Sequence, residues 1–237
     1  METPAIVLFD LNAIVPNLVG AYQEGVAAAF RMFDEELDEE LLTLAVGLTY
    51  SEGVREVYNA HFSNPWPDEQ RLFDLSEAYR KVVKRFVQFS SSFSGVPHLL
   101  STLQELRKNG VKVGLCADLD RVTLALLADR MGWNLDLMFN AVVTSDEGVT
   151  KPEIIMEALD QLNATDGFDG VMIGAIPADV EAGRICGFKR RGLLNSSEWT
   201  VEAQGVEVLY SLSHFPEWVM GLASRDGVGR LREVGRR

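Results

Sequence analysis

VMIGAIPADVEAGRICGF, residues 171–188, is the stretch that decides the fold. VMIGA is a short apolar run without a charge, which reads as a strand buried on both faces. PADVEAGRICG follows as a helix, with Gly187 just past its end as a stop. The same strand–helix unit recurs upstream. VKVGLCAD (111–118) leads into the helical DRVTLALLADRMGW, and FNAVVTS (139–145) precedes KPEIIMEALDQLN, a helix opened by Pro152. AIVLFD (5–10) is a further buried strand, and SGVPHLLSTLQELRKNG (94–110) a helix ending at Asn109-Gly110. RRGLLN and VEVLYSL read as edge strands. Strands alternating with helices predict an α/β fold with a doubly wound parallel sheet, whose ligands bind beyond the C-terminal strand ends.

One region departs from this alternation. From Val15 to about Phe89 the apolar residues keep helical spacing in VPNLVGAYQEGVAAAFRMF, EELDEELLTLAVGL, SEGVREVYNAHF and DEQRLFDLSEAYRKVVKRFVQF, with NPWP (64–67) as a break. The expected organisation is a core of residues 1–14 and 93–221, an inserted α-helical cap over 15–92, and a basic C-terminal tail, 222–237. The tail segment ASRDGVGRLREVGRR carries five arginines against two acids and is expected to fray. Its GVGRL is no dinucleotide fingerprint, because no strand leads into it.

Composition excludes several classes of function. A net charge of −13 over 237 residues argues against nucleic acid, since phosphate backbones need a basic surface. Cys116 and Cys186 sit in apolar runs without metal spacing, and His61, His98 and His214 form no HExxH, so the cysteines read as buried free thiols. METPAIVLFD has no signal-peptide pattern, and no apolar run reaches the roughly 18 residues of a membrane span. The glycosylation patterns at Asn163-Ala-Thr165 and Asn195-Ser-Ser197 would stay unused in a cytoplasmic protein, which is the expectation here. A small molecule is the expected partner, with a homodimer left open.

Four strand ends carry the chemistry: FDLNA (9–13), CADLD (116–120), the loop TSDEGVTKPE (144–153) and IGAIPAD (173–179). Their order and spacing resemble the haloacid dehalogenase-like superfamily, from about residue 5 to about 220. The chain looks closest to its phosphonatase and phosphoglycolate-phosphatase-like branch, to whose cap segment VGLTYSEGVREVY (46–58) is similar. The resemblance implies a Rossmannoid core with a helical cap. It also implies that Asp10 is the nucleophile, Lys151 its charge-balancing lysine and Asp179 the carboxylate supporting that lysine.

Three parts of the family pattern are altered. The acid–base aspartate is Asn12, whose amide exchanges no proton at a useful pH. The phosphate-binding hydroxyl is replaced by Ala117, followed by Asp118, which reads either as a site residue or as the cap of the next helix. The magnesium-binding aspartate is Ala175. Tyr50 stands near the position of the phosphonatase lysine, and VGLTYSEGVREVY contains no lysine, which disfavours phosphonatase activity.

The losses point away from an ordinary magnesium phosphatase. Loss of acid–base catalysis alone costs about 10²–10⁴ in rate, and no cofactor is expected beyond a weak magnesium site at Asp10 and Asp179. The reading favoured is a repurposed, metal-independent enzyme acting on a small organic molecule through Asp10. Asn12 and Asp118 would contact substrate, and Thr49, Tyr50 and Arg55 would contact it from the cap, with cap–core packing as their plain alternative. The two alternatives are a catalytically inactive binding protein and a weak magnesium-dependent phosphatase.

Overall fold

The computed structural model describes residues 6–62, 68–90, 93–164, 166–194 and 206–220. NPWP, the tail 222–237 and Asn195-Ser-Ser197 lie outside the described residues. Strand β1 (Ile6–Asp10) runs through α1 (Leu11–Ile14) and a 3-10 turn, Pro16–Leu18, into α2 (Val19–Arg31). Then come α3 (Glu39–Leu42), a second 3-10 turn (Thr43–Ala45), α4 (Tyr50–Phe62) and α5 (Glu69–Phe89). The remaining series is α6 (Leu99–Lys108), β2 (Lys112–Cys116), α7 (Arg121–Met131), α8 (Leu135–Met138), β3 (Ala141–Val143) and α9 (Lys151–Gln161). It closes with β4 (Gly170–Gly174), α10 (Pro177–Ile185), β5 (Arg190–Leu194), β6 (Val206–Leu209) and α11 (Phe215–Val219).

The strands form one six-stranded sheet in the order β3-β2-β1-β4-β5-β6, and every pairing is parallel. This is the doubly wound α/β architecture read from the sequence. Side chains alternate between the two faces, as the pleat requires. Val7 and Phe9 enter one buried apolar cluster, and Ile6 and Leu8 enter another beneath α9 and α10. Gly187 follows α10 at φ 87°, the left-handed conformation that a glycine stop supplies without steric cost. Among the described residues no helix is long and apolar enough to cross a membrane.

Two expectations need correction. RRGLLN is not an edge: β5 lies between β4 and β6, and its last four residues are buried, so only VEVLYSL reaches the edge as β6. EELDEELLTLAVGL is not one helix, because after Leu42 the chain tightens into the 3-10 turn and Gly47 turns it at φ 71°.

The helices of 15–92 share the first apolar cluster with the sheet: Tyr22, Val26, Tyr79 and Val83 belong to the same buried group as Phe9. Burying one such large side chain stabilises the fold by about 1.5–3 kcal/mol. Helices α2 and α5 approach closely at Gly25, where a Cβ would stand 2.6 Å from Val83 Cγ2 and 2.8 Å from the Tyr79 ring. Gly25→Val is expected to destabilise the protein by about 1–3 kcal/mol through overpacking, measured by guanidinium denaturation.

Candidate active site

The site forms where the strand order reverses, between β1 and β4, at the C-terminal ends of the strands. Asp10 closes β1 and pairs in register with Cys116, which puts Ala117 just beyond it on one side. On the other side Phe9 pairs with Ile173, bringing Gly174 to the level of Asp10. Lys151 starts α9, after β3, and extends its chain across the strand ends.

Its ammonium joins two carboxylates. Lys151 Nζ donates to Asp10 Oδ2 at 2.8 Å and to Asp179 Oδ1. Asp10 Oδ1 accepts from the Asn12 backbone N–H at 2.9 Å and from Asn12 Nδ2 at 3.1 Å. Asp179 Oδ2 accepts from the Ala175 and Ile176 backbone N–H groups at 2.7 and 3.1 Å, so it also closes the first turn of α10. All three ionic side chains are buried, with Asp10 and Asp179 at 0% exposure and Lys151 at 3%. Sequence reasoning named this triad, and the structure brings it together.

Asn12 and Asp118 extend the network. Asn12 Nδ2 donates to Asp118 Oδ2 at 3.0 Å, and Asp118 Oδ1 accepts from the Tyr22 hydroxyl at 2.6 Å. The helix-cap reading of Asp118 is therefore corrected. Asp120 caps α7, accepting from Thr123 N at 3.0 Å and Thr123 Oγ1. Asp118 lies too early in the turn for that role and is 1% exposed among the site groups.

The residues proposed for the cap divide. The Tyr50 hydroxyl reaches Asp120 Oδ2 at 3.3 Å, in contact with the loop after β2 rather than with Asp10. Thr49 Oγ1 donates to Val149 O at 2.5 Å, beside the triad lysine in sequence. Arg55 is not drawn into the charge network. It is paired with Glu69 at 3.1 Å with its side chain 47% exposed, because it projects from α4 into solvent. There it lines a surface groove of ≈ 380 Å³ with Ser51, Glu52, Val149 and Thr150.

Sequence reasoning missed Tyr22, Asp120 and Glu52. Glu52 Oε2 accepts from the Lys151 backbone N–H at 3.1 Å, tying α4 to the first turn of α9. Its signal was the pattern Thr49-x-x-Glu52, a capping box at the start of α4: Glu52 N donates to Thr49 Oγ1 at 3.3 Å and Thr49 N to Glu52 Oε2 at 3.4 Å. Tyr22 carried no such signal, since in sequence it is one apolar-face position of α2 among several.

Electrostatics follow from burial. Desolvation, with Asp179 next, pushes the Asp10 carboxyl up to about 7, against the pull of Lys151. Burial also raises Asp118. It works against the Lys151 ammonium, but Asp10 and Asp179 outweigh it and hold that amine well above its usual range. Burial raises the thiols of Cys116 and Cys186, both free and buried, which keeps them protonated near neutrality.

A magnesium ion here would have to share oxygens that already serve protein donors. Every carboxylate oxygen of Asp10, Asp118 and Asp179 already accepts from a protein N–H or O–H, and Ala175 offers no oxygen from its side chain. Among the described residues no group of three or more His, Cys, Asp or Glu is arranged to hold a metal. Magnesium prefers several oxygens in near-octahedral geometry, and the Lys151 ammonium lies between the two carboxylates that would supply them.

A parallel sheet reversing at β1/β4, with a β1 aspartate tied to a lysine after β3 and helices inserted after β1, defines a Rossmannoid α/β protein of hydrolase type. The chain belongs to the haloacid dehalogenase-like hydrolases, whose family model matches residues 7–192. Solved structures share the fold at low identity. One is CbbY from Rhodobacter sphaeroides in complex with phosphate, at 14% identity and TM-score 0.69, covering 95% of this chain and 99% of that one. A predicted phosphatase from Clostridium acetobutylicum is 18% identical with TM-score 0.73, covering 93% and 100%. β-Phosphoglucomutase from Clostridium difficile is 13% identical with TM-score 0.74, covering 94% and 98%. No curated protein matches the chain.

The triad generates a stability prediction. A carboxyl whose pKa rises on folding binds more protons in the native state, so its contribution to stability declines as pH climbs from 3.8 toward about 7. Lys151→Met removes the compensating cation and steepens that decline. At pH 8 it is expected to cost about 3–5 kcal/mol, and clearly less at pH 5, where Asp10 holds its proton, measured by denaturant melts at both pH values.

Proposed function

We propose that this protein is an enzyme acting on a small organic molecule through Asp10, without magnesium, with residues 15–92 serving as a cap over a core of 1–14 and 93–221. The observation that carries this reading is the Lys151 bridge, which holds a buried β1 carboxylate in place where a metal would otherwise balance its charge. Asp10 acts as base or as nucleophile at carbon. Lys151 steadies the negative charge that develops, and Asp179 orients Lys151 from the turn before α10. Asn12 fixes the unused Asp10 oxygen, and opening of the helical segment admits substrate, because Asp10 is wholly buried.

Metal-assisted phosphoryl transfer fits this donor set poorly. The position after Cys116 is Ala117, with no hydroxyl for a phosphoryl group, and the carboxylate of Asp118 follows it. Such transfer depends on neutralising charge around phosphate, and here three carboxylates face one ammonium. A second reading, a binding protein without chemistry, is favoured by one observation: each oxygen of the three carboxylates is already engaged by a protein donor.

Turnover screening on haloacids, activated esters and aryl phosphates, with magnesium or with EDTA, separates these readings. The expected outcome is turnover of a carbon-centred substrate unaffected by EDTA and lowered about 10²–10⁴-fold in Asp10→Asn. Magnesium-dependent phosphate release would reinstate the phosphatase, and turnover indifferent to Asp10→Asn would remove the aspartate from the chemistry. Because Asp10 works ionised, kcat/KM is expected to rise with pH through about 7 and level off above it, recorded as a pH–rate profile.

A further inference from the structure

Above Asp10, three tyrosines from the helical segment converge on the loop after β2. The Tyr22 hydroxyl bonds Asp118 and the Tyr50 hydroxyl bonds Asp120. The Tyr79 ring meets Tyr50 edge-on at a centroid distance of 5.3 Å. Tyr79 is 0% exposed, yet its hydroxyl has no hydrogen-bond partner. A second buried atom is orphaned beside the same carboxylate. Asn12 donates its amide N–H groups to Asp10 and Asp118, which leaves Asn12 Oδ1 without a donor. Native proteins seldom leave such groups unpaired, and each unpaired group needs an explanation.

The chemistry of the orphans selects the ligand. Asn12 Oδ1 only accepts, so what satisfies it must donate, and a fully ionised phosphate cannot. The Tyr79 oxygen also accepts. Asp118 retains lone pairs beyond those used by Tyr22 and Asn12. Its charge reaches Tyr79, whose hydroxyl is pushed well above the usual range by burial first and by Asp118 next. Negative charge is in excess here, since Asp118 joins Asp10 and Asp179 against the single ammonium of Lys151.

We propose that the helical segment and the loop after β2 form a subsite for an organic ammonium group, so that the substrate of the Asp10 reaction carries a protonated amine. Its N–H groups bond Asn12 Oδ1, Asp118 and the Tyr79 oxygen, the two atoms that lack partners and the carboxylate in excess. This deepens the reading of Asp10 as the reactive group and rests on it for the word substrate, but the binding stands by itself. The subsite also accounts for Asp118 in a position where a carboxylate repels a phosphate.

Calorimetric titration of the full chain with methylammonium, and separately with inorganic phosphate at matched ionic strength, tests the subsite. Methylammonium is expected to bind the wild type and phosphate is not. Tyr79→Phe removes only the orphaned hydroxyl and keeps the ring, so it should fold normally and bind methylammonium about three- to tenfold more weakly. Asp118→Asn should weaken it further, by about ten- to a hundredfold. Phosphate binding in preference to methylammonium, binding of neither ion, or an unchanged affinity in Tyr79→Phe would each overturn the proposal. Asp10→Asn is the control that separates the two inferences. If it and the wild type bind methylammonium but no amine is turned over, the catalytic reading fails alone; turnover of amine-free substrates without methylammonium binding defeats the subsite alone.

Discussion

One ammonium holds the strand ends together. Lys151 Nζ bonds Asp10 from β1 and Asp179 from the turn between β4 and α10, so three elements distant in sequence meet at a single charge. Each of these ions has left water, a change that costs several kcal/mol per ion unless geometry and further hydrogen bonds compensate it. The compensation is visible. Asn12 serves one oxygen of Asp10, and two backbone N–H groups serve one oxygen of Asp179. The constraint reaches into the backbone as well. A Cβ at Gly174 would lie 2.2 Å from Asp179 Cβ, so the residue beneath the triad has to be glycine.

The helical segment completes this arrangement rather than merely covering it. Its Tyr22 supplies the hydroxyl that Asp118 needs, and its Glu52 accepts from the backbone of Lys151. Thr49 reaches the carbonyl of Val149 two residues earlier. With apolar contacts joining the same helices to the sheet face, polar and apolar surfaces of the segment register against the core together. The outcome is a buried site in which three carboxylates face one ammonium.

Local patterns made much of this legible. The apolar runs 5–10, 111–118 and 171–175 announced parallel strands, and the intervening helices followed from 3.6-residue spacing and from stops such as Gly187. Asp10, Lys151 and Asp179 were legible through the resemblance of their segments to the haloacid dehalogenase-like pattern, and the topology brings those strand and helix ends to one side. What stayed illegible depends on backbone geometry. Asp118 and Asp120 both suit a helix start by residue type, and only the backbone geometry shows that Asp120 is the cap. Arg55, expected to contact substrate from the cap, projects from α4 toward Glu69 and solvent, a direction that residue type does not reveal.

The sequence by itself determined the class of fold and the order of its elements, which depend on local periodicity, and through its resemblance to the haloacid dehalogenase-like pattern it pointed to the buried charge triad. Tertiary structure alone decided which partners each carboxylate takes. Tyr22, Tyr50, Tyr79 and Glu52 come from helices that precede the loops after β2 and β3 by up to about a hundred residues, as the Glu52–Lys151 separation of 99 positions shows. No local pattern encodes a hydrogen bond across that distance. It exists because packing α2, α4 and α5 against the sheet face fixes where their side chains end.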